Sequence, residues 1–280
     1  FYIFNVIIQY QFERRELMKN FKLNLVALPI ALLSFSVVLS ACQTEPKQVK
    51  TSQSSTQEKI QPPSTESTKE STKSEEKVQM TFTTGSLIQA VSEGDFDQTK
   101  EILNSPAYLI DEVNEKSETP LLIAVHQNQI PITKLLIDAG ANINQQDVIQ
   151  DSPYLYAGAQ GRTEILAYML AHTTPDQSVY NRFGGNALIP AAEKGHLENV
   201  KLLLADKRVA IDHQNKFGYT ALIEAVGLRD GSQIYQEIVA ELLRNGANSS
   251  LRDNSGRTAL DYANQLGYGN IAQMLRTANS

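Results

Sequence analysis

From residue 85 onward, short apolar stretches alternate with polar turns at a nearly constant interval. The residue that opens each unit lies 33 to 38 residues after the previous one, at Gly85, Thr119, Ser152, Asn186, Thr220 and Thr258. A period near 34 residues is typical of a stack of similar units, in which each unit buries its apolar face against its neighbours. The pattern therefore predicts six stacked units.

Each unit predicts two short helices. The pairs Thr119-Pro120 and Ser152-Pro153 place a capping side chain before a proline, which suits the start of a helix. Residues that tolerate a left-handed backbone follow nine positions after a unit start, at Gly94, Asn128, Gly161, Gly195 and Gly267. Second apolar helices are predicted over 99–103, 132–137, 164–170, 197–204, 238–243 and 271–275. None of these helices is long enough to be stable alone.

These motifs resemble the ankyrin repeat. The resemblance covers about residues 83–277 and is carried by Thr119-Pro120-Leu121, Gly140-Ala141-Asn142-Ile143-Asn144, Gly195-His196-Leu197-Glu198, Leu202-Leu203-Leu204 and Asn245-Gly246-Ala247-Asn248. It implies an all-α fold, a solenoid of about six helix–turn–helix units with β-hairpin loops, which we assign to residues 81–280. The end units are expected to act as caps.

The sequence departs from the ankyrin pattern in three places. The histidine usual in the first helix is replaced by another residue throughout, at Leu122, Leu155, Ile189, Ile223 and Asp261. Pro190 should remove an early hydrogen bond of its helix, and residues 172–176 replace the usual glycine-containing turn of the third unit. We therefore expect the third and fourth units to be the least regular.

The N-terminal region predicts a lipid-anchored, exported protein. Residues 1–17 are interpreted as translated upstream sequence, with a genuine cytoplasmic extension as the alternative. Residues 18–41 combine basic residues with an apolar run and small residues, as a signal peptide does. Leu39-Ser40-Ala41-Cys42 resembles a bacterial lipobox, which implies that Cys42 is lipidated and becomes the new N-terminus. The alternative is an uncleaved transmembrane helix, although the apolar run is short for a span.

Residues 42–80 are assigned to the lipidated Cys42 and a disordered linker. Within 43–79, 13 of 37 residues are Ser or Thr and most others are Lys, Glu or Gln, so the segment cannot bury a core. The expected location is a bacterial membrane, at its extracytoplasmic face. Cys42 is the one cysteine of the chain, which excludes an internal disulfide or a cysteine-rich metal site.

The net charge of residues 80–280 limits which classes of partner fit this part of the chain. Residues 80–280 carry 15 Lys and Arg against 23 Asp and Glu, a net charge of −8. Nucleic-acid binding is therefore disfavoured, because few cations are present to neutralise phosphates. A basic protein partner fits this charge, and so does simple solubility.

The sequence contains no readable catalytic motif. It shows no nucleophile elbow, phosphate loop, calcium loop or zinc-binding histidine pair, and the four histidines fall in different units. We predict that the protein is not an enzyme and has no catalytic residue, cofactor or metal site.

The resemblance implies that a protein partner binds along the hairpin tips and the exposed side of each first helix, which together form a concave strip. The matching residues are Glu115, Lys116, Glu118, His126, Gln127, Val148, Ile149, Asp151, Gln160, Arg182, Phe183, Glu193, Lys194, Lys216, Phe217, Tyr219, Leu228, Asn254, Ser255 and Arg257.

The aromatic tip residues Phe183, Phe217 and Tyr219 lie beside Arg182 and Lys216, a combination that protein interfaces favour. We expect alanine at Phe217 and Tyr219 to weaken binding with little loss of stability. The alternative is that these rings pack on the next hairpin. An insertion near residues 230–232 is either a further partner contact or a tolerated loop.

The predicted function is capture of a protein outside the membrane by a lipid-tethered repeat domain. The resemblance implies two uses, neutralisation of a toxin by an immunity protein and support of a stress-defence enzyme such as a catalase. An enzyme and a structural spacer without a specific partner are the rival classes.

Overall fold

The computed structural model describes residues 82–105 and 108–278, which belong to one compact unit. The predictions for residues 1–17, the signal peptide 18–41, Cys42 and the linker lie outside the described residues. The described part is helical, with no strand among its residues. The loops expected as β-hairpins are hairpin-shaped turns that lack strand pairing.

Twelve α-helices in the described part form six antiparallel pairs, as predicted. Their bounds are α1 Ser86–Glu93, α2 Phe96–Leu103, α3 Pro120–His126, α4 Ile130–Asp138, α5 Pro153–Ala159, α6 Thr163–His172, α7 Leu188–Glu193, α8 Leu197–Asp206, α9 Ala221–Gly227, α10 Gln233–Arg244, α11 Ala259–Leu266 and α12 Gly269–Ala278.

Four predicted first-helix starts, and the left-handed residues expected after five first helices, are confirmed. The hydroxyls of Thr119, Ser152, Thr220 and Thr258 each accept a hydrogen bond from the backbone N–H three residues later, at 3.1 to 3.2 Å. All five residues expected in the left-handed region have positive φ, and Asn128 is the one of them that is not glycine, with φ 57°. These local signals fix where each first helix begins and ends.

The two irregular units behave as expected. Helix α7 has six residues, fewer than any other helix of the described part, and it starts two residues after Asn186 because Pro190 cannot donate in the first turn. Thr173, the residue that follows helix α6, is extended, with φ −136°. The corresponding position of the second unit is Gly140, which has φ 92°.

Buried apolar side chains occupy four of the positions where the repeat usually has histidine. Leu122 is fully buried, and Leu155, Ile189 and Ile223 are at most 3% exposed. Burying a side chain of this size contributes about 1.5–3 kcal/mol. At Asp261 the carboxylate instead accepts from the Thr258 backbone N–H and completes a capping box.

The first helices stack on one another, as do the second helices, around one continuous apolar core. At several boundaries a side chain of one unit donates to a carbonyl at the end of the preceding first helix. The donors and acceptors are Gln129 to Val91, Arg162 to His126, Asn199 to Ala157 and Gly158, and Tyr235 to Glu193, at 2.9 to 3.2 Å. These bonds satisfy carbonyls that a helix end leaves unpaired. They also fix the helix ends that lie beside the loops.

Candidate functional site

Five turns between the units share one hydrogen-bonded design. We call them the turn strip, residues 114–118, 147–151, 181–185, 215–219 and 253–257. Each turn is closed by a backbone hydrogen bond from its first N–H to its fifth carbonyl, at 2.9 to 3.2 Å. The first side chain of each turn accepts from the third and fifth backbone N–H groups at 2.8 to 3.0 Å, at Asn114, Asp147, Asn181, Asn215 and Asp253.

Sequence reasoning missed these five residues as a set. Asn and Asp are the side chains that hydrogen-bond to the backbone two residues later, and they recur here at the same interval as the units. They hold the turn rigid, so the tip side chains are presented in a fixed arrangement.

Backbone hydrogen bonds join neighbouring turns. The N–H of Val148 donates to the carbonyl of Lys116 at 3.0 Å, and that of Lys216 donates to Phe183 at 2.9 Å. Asn254 donates in the same way to Phe217 at 3.0 Å. The first two turns of the strip, and the last three, are therefore in fixed register along the stack.

The structure places all twenty predicted contact residues on the turn strip or at the ends of the first helices. Eleven are exposed, nine are partly buried and none is buried. Each side chain is therefore at least partly accessible, and its part in binding stays a prediction.

The aromatic tips are less exposed than expected. Arg182 lies over the ring of Phe183, 5.0 Å from its centroid. Tyr219 packs against the core and meets the ring of Tyr262, in the next unit, edge to face at 6.4 Å. Removing the Tyr219 ring would expose part of the core, so this packing argues against the expectation that the Tyr219 change costs little stability.

The most exposed apolar side chains of the turn strip lie in the turn that precedes the turn of Phe183. Val148 is 64% exposed and Ile149 is 49% exposed, at the tip of the second turn of the strip. A large part of these two aliphatic side chains is left unburied by the fold. They are available to a partner.

Ion pairs and burial set the charge pattern of this surface. Asp151 lies 3.5 Å from Arg182, and Glu193 pairs with Arg229. Burial lowers the pKa of His126, so this imidazole is neutral at pH 7 and its 3.5 Å contact with Glu118 is not an ion pair there.

Arg229 comes from the insertion of the fifth unit, which the sequence left open as a contact or a tolerated loop. Its carbonyl accepts from the hydroxyl of Tyr268, and its guanidinium reaches Glu193 on α7. The inserted loop is thus held on both sides. Sequence reasoning could not assign this pair, because 36 residues and an unpredictable loop separate its members.

A buried carboxyl group lies behind the fourth turn of the strip, residues 215–219. Glu224 is 7% exposed, and its carboxyl accepts from the amide of Asn215 at 2.8 Å. Burial, together with the negative charge of Glu193, raises the pKa of Glu224 from 4.5 to about 8. The group is therefore mostly protonated at pH 7.

Residues 82–105 and 108–278 contain no group of three or more His, Cys, Asp or Glu side chains that could hold a metal ion. In this same part of the chain, no helix combines the length and the apolar character needed to cross a bilayer.

Comparison with known proteins agrees with the observed architecture. The family model described as ankyrin repeats, in three copies, matches residues 87–182 and 188–280. The ankyrin repeat protein YahD of Escherichia coli (strain K12) is 37% identical over 191 residues, which cover 68% of this chain and 94% of YahD.

Two crystal structures are similar to the same part of the chain. The ankyrin repeat protein EF0377 is 63% identical, with a TM-score of 0.69, and the match covers 70% of this chain and 98% of EF0377. An ankyrin repeat domain from Acinetobacter baumannii AYE is 46% identical, with a TM-score of 0.67 and the same shares covered.

Proposed function

This chain belongs to the ankyrin-repeat family, and from that membership we propose that it captures a protein partner through its turn strip while a lipid on Cys42 holds it to a bacterial membrane. Ankyrin repeats suggest protein–protein interaction, and their fold is typically a non-enzymatic scaffold. The observation that carries the proposal is the rigid turn strip, whose second turn exposes Val148 and Ile149.

The geometry suits recognition by preformed contacts. Each turn is fixed by its Asn or Asp side chain and by its closing backbone bond, so little conformational entropy is lost at the tips on binding. Charged tip residues such as Arg182 and Lys216 surround the apolar ones, which is the usual composition of a specific interface.

Two uses of capture remain open, neutralisation of a toxin and support of a stress-defence enzyme such as a catalase. The acidic charge of the domain favours the first use if the toxin is basic. The rival classes, an enzyme or a spacer without a partner, have no supporting observation among the described residues.

Capture is tested by affinity purification with the full chain from cells of its source at physiological salt, beside two single variants. Arg182→Ala and Phe217→Ala change the strip, whereas Tyr219 is left intact because its ring packs on the core. Lys201→Ala is the matched control, since Lys201 is exposed on α8 and pairs with Glu198 of the same helix.

We expect a protein that is recovered with the unchanged chain and with the control, and much less with the two strip variants. Equal recovery of every protein in all four samples would reject capture through the turn strip. Turnover of a small substrate by the purified chain would instead favour an enzyme.

The anchor is tested separately in living cells with Cys42→Ser. If Cys42 carries the lipid, the variant should lose labelling by radioactive palmitate and keep the uncleaved signal peptide, which is visible as a larger band. Ser40→Thr is a control that leaves the cysteine in place. Continued labelling of the Cys42→Ser protein would contradict the anchor.

A further inference from the structure

We propose that the hairpins 108–118 and 142–151 form a docking surface for a basic protein segment that carries an aliphatic or aromatic side chain. The inference rests on the proposed function and adds which part of the strip is used and what chemistry the partner has. Three observations support it: the position of the exposed apolar side chains, the composition of the tips and the distribution of charge.

Exposed apolar side chains concentrate in these two hairpins. The four most exposed large apolar residues of the described part are Leu109 at 65%, Val148 at 64%, Ile149 at 49% and Val113 at 48%. Single exposed apolar residues are common on protein surfaces, but a concentration in adjacent elements marks an interaction site.

The two hairpins are held side by side. The N–H of Val148 donates to the carbonyl of Lys116 at 3.0 Å, and the N–H of Asn142 donates to the Asp111 carboxylate at 2.9 Å. One bond lies at the tips and the other lies nearer the helices, so the hairpins adjoin along their length. A partner segment can therefore contact both at once.

The second turn of the strip, residues 147–151, differs from the others at its tip. The two tip positions hold Val148-Ile149 there, whereas the other four turns each have at least one charged or polar residue: Glu115-Lys116, Arg182-Phe183, Lys216-Phe217 and Asn254-Ser255. Solvated turns favour polar residues. An all-aliphatic tip is therefore better explained by a partner than by the fold.

Charge selects the partner. Residues 82–151 contain eleven Asp and Glu against three Lys, a net charge of −8, whereas residues 152–278 contain twelve of each sign. The two hairpins alone have six carboxylates and one lysine, Lys116. A cationic segment is attracted to this end of the stack, and an anionic lipid surface or a nucleic acid is repelled.

The probe for this inference is a fluorescein-labelled peptide of about twelve residues made of Lys and Leu, titrated with the full chain and followed by fluorescence anisotropy. Two matched peptides separate the contributions. One replaces every Lys by Glu, and the other replaces every Leu by Ser. The Lys/Leu peptide is expected to bind most tightly.

Four variants locate the binding. Glu115→Lys and the double variant Val148→Ser/Ile149→Ser should each weaken binding about tenfold, which corresponds to about 1.4 kcal/mol. Glu237→Lys makes the same charge change on the exposed surface of α10, and Phe96→Ser removes an exposed ring from α2. Both controls should bind within about twofold of the unchanged chain, a difference of under 0.5 kcal/mol. Circular dichroism and the melting midpoint check that each variant is folded.

Several results would overturn the inference. These are undiminished binding by Glu115→Lys or by the double variant, equal loss in the controls, or preference for the Glu/Leu peptide. Self-association that the double variant abolishes, without binding of the Lys/Leu peptide, would assign the surface to a second copy of this chain. If any of these results is found, capture of a partner through Phe217 would still support the proposed function. The docking surface and the proposed function can therefore fail independently.

Discussion

Two turns of the strip hold a left-handed backbone without glycine. The fourth residue of every turn has positive φ, and it is glycine in the last three turns but Ser117 and Gln150 in the first two, at 61° and 64°. A residue with a Cβ costs about 1 kcal/mol or more in this region, partly offset by the entropy that glycine loses on folding.

Gln150→Gly should therefore stabilise the protein by about 0.5 kcal/mol, measured as a higher urea midpoint with an unchanged slope. The converse change, Gly256→Ala, should destabilise it by about 1 kcal/mol through backbone strain. A Cβ at Gly256 would have no heavy atom within 4 Å, so a steric clash would not contribute to the loss of stability. A lower midpoint for Gln150→Gly would show that its left-handed backbone is not strained.

Glu224 should make stability depend on pH. Its pKa is about 8 in the folded protein and near 4.5 when exposed, so the folded state binds the proton more tightly. The stabilisation is complete below pH 4.5 and is lost as pH rises through 8. Within that window the free energy of unfolding should fall by up to about 1.4 kcal/mol per pH unit.

Glu224→Gln should remove this dependence, because the amide cannot ionise and its oxygen can still accept from Asn215. Both proteins are unfolded with urea at pH values from 5 to 9, and the two free energies of unfolding are subtracted at each pH. The contributions of the other titratable groups then cancel. Glu198→Gln, at an exposed site, is the control. Parallel pH profiles for Glu224→Gln and the unchanged chain would contradict a buried, protonated Glu224.

At the scale of the helices, Asn199 joins the third and fourth units. This fully buried side chain on α8 donates to the carbonyls of Ala157 and Gly158 at the end of α5, and accepts from the hydroxyl of Thr163. A helix cannot pair its last carbonyls internally, so here the neighbouring unit supplies the donors.

Asn199→Ala should cost about 2–4 kcal/mol, because it leaves two buried carbonyls without this donor. The change is read from the urea midpoint. Asn245→Ala is the matched control: Asn245 is exposed and bonds to Glu241 of its own helix, so its loss should cost under about 0.5 kcal/mol. Equal costs for the two variants would mean that the buried bonds contribute no more than the exposed ones.

The helices could be predicted because their signals are local. A cap such as Thr220 acts on an N–H three residues away, and Asn128 allows a left-handed backbone at its own position. The environment of Tyr219 and of Glu224 depends on residues of other helices and turns, so the aromatic tips were expected to be more exposed than they are. The pair Val148-Ile149 of the second turn was among the predicted contacts. Its high exposure could not be predicted, because it depends on which other residues pack against the pair in the folded chain.

At the scale of the whole molecule, stability is a sum of units and of the boundaries between them. The boundary between the third and fourth units is closely packed, at Gly158 on α5. A Cβ there would lie 2.9 Å from the Cβ of Ala187 and 3.2 Å from its carbonyl oxygen, and neither atom belongs to a flexible side chain. The same boundary joins the two least regular units. Added strain at this boundary should therefore make the units before it and the units after it unfold separately.

Gly158→Ala should therefore separate the unfolding of the two halves. Hydrogen exchange followed by mass spectrometry, over a urea series, should show peptides from α1–α6 and from α7–α12 losing protection at different urea concentrations. In the unchanged chain they should lose it together. Gly269→Ala adds a methyl group where nothing lies within 4 Å, so it should leave a single transition. A single shared transition for Gly158→Ala as well, merely at lower urea, would show that strain at one boundary spreads through the whole array.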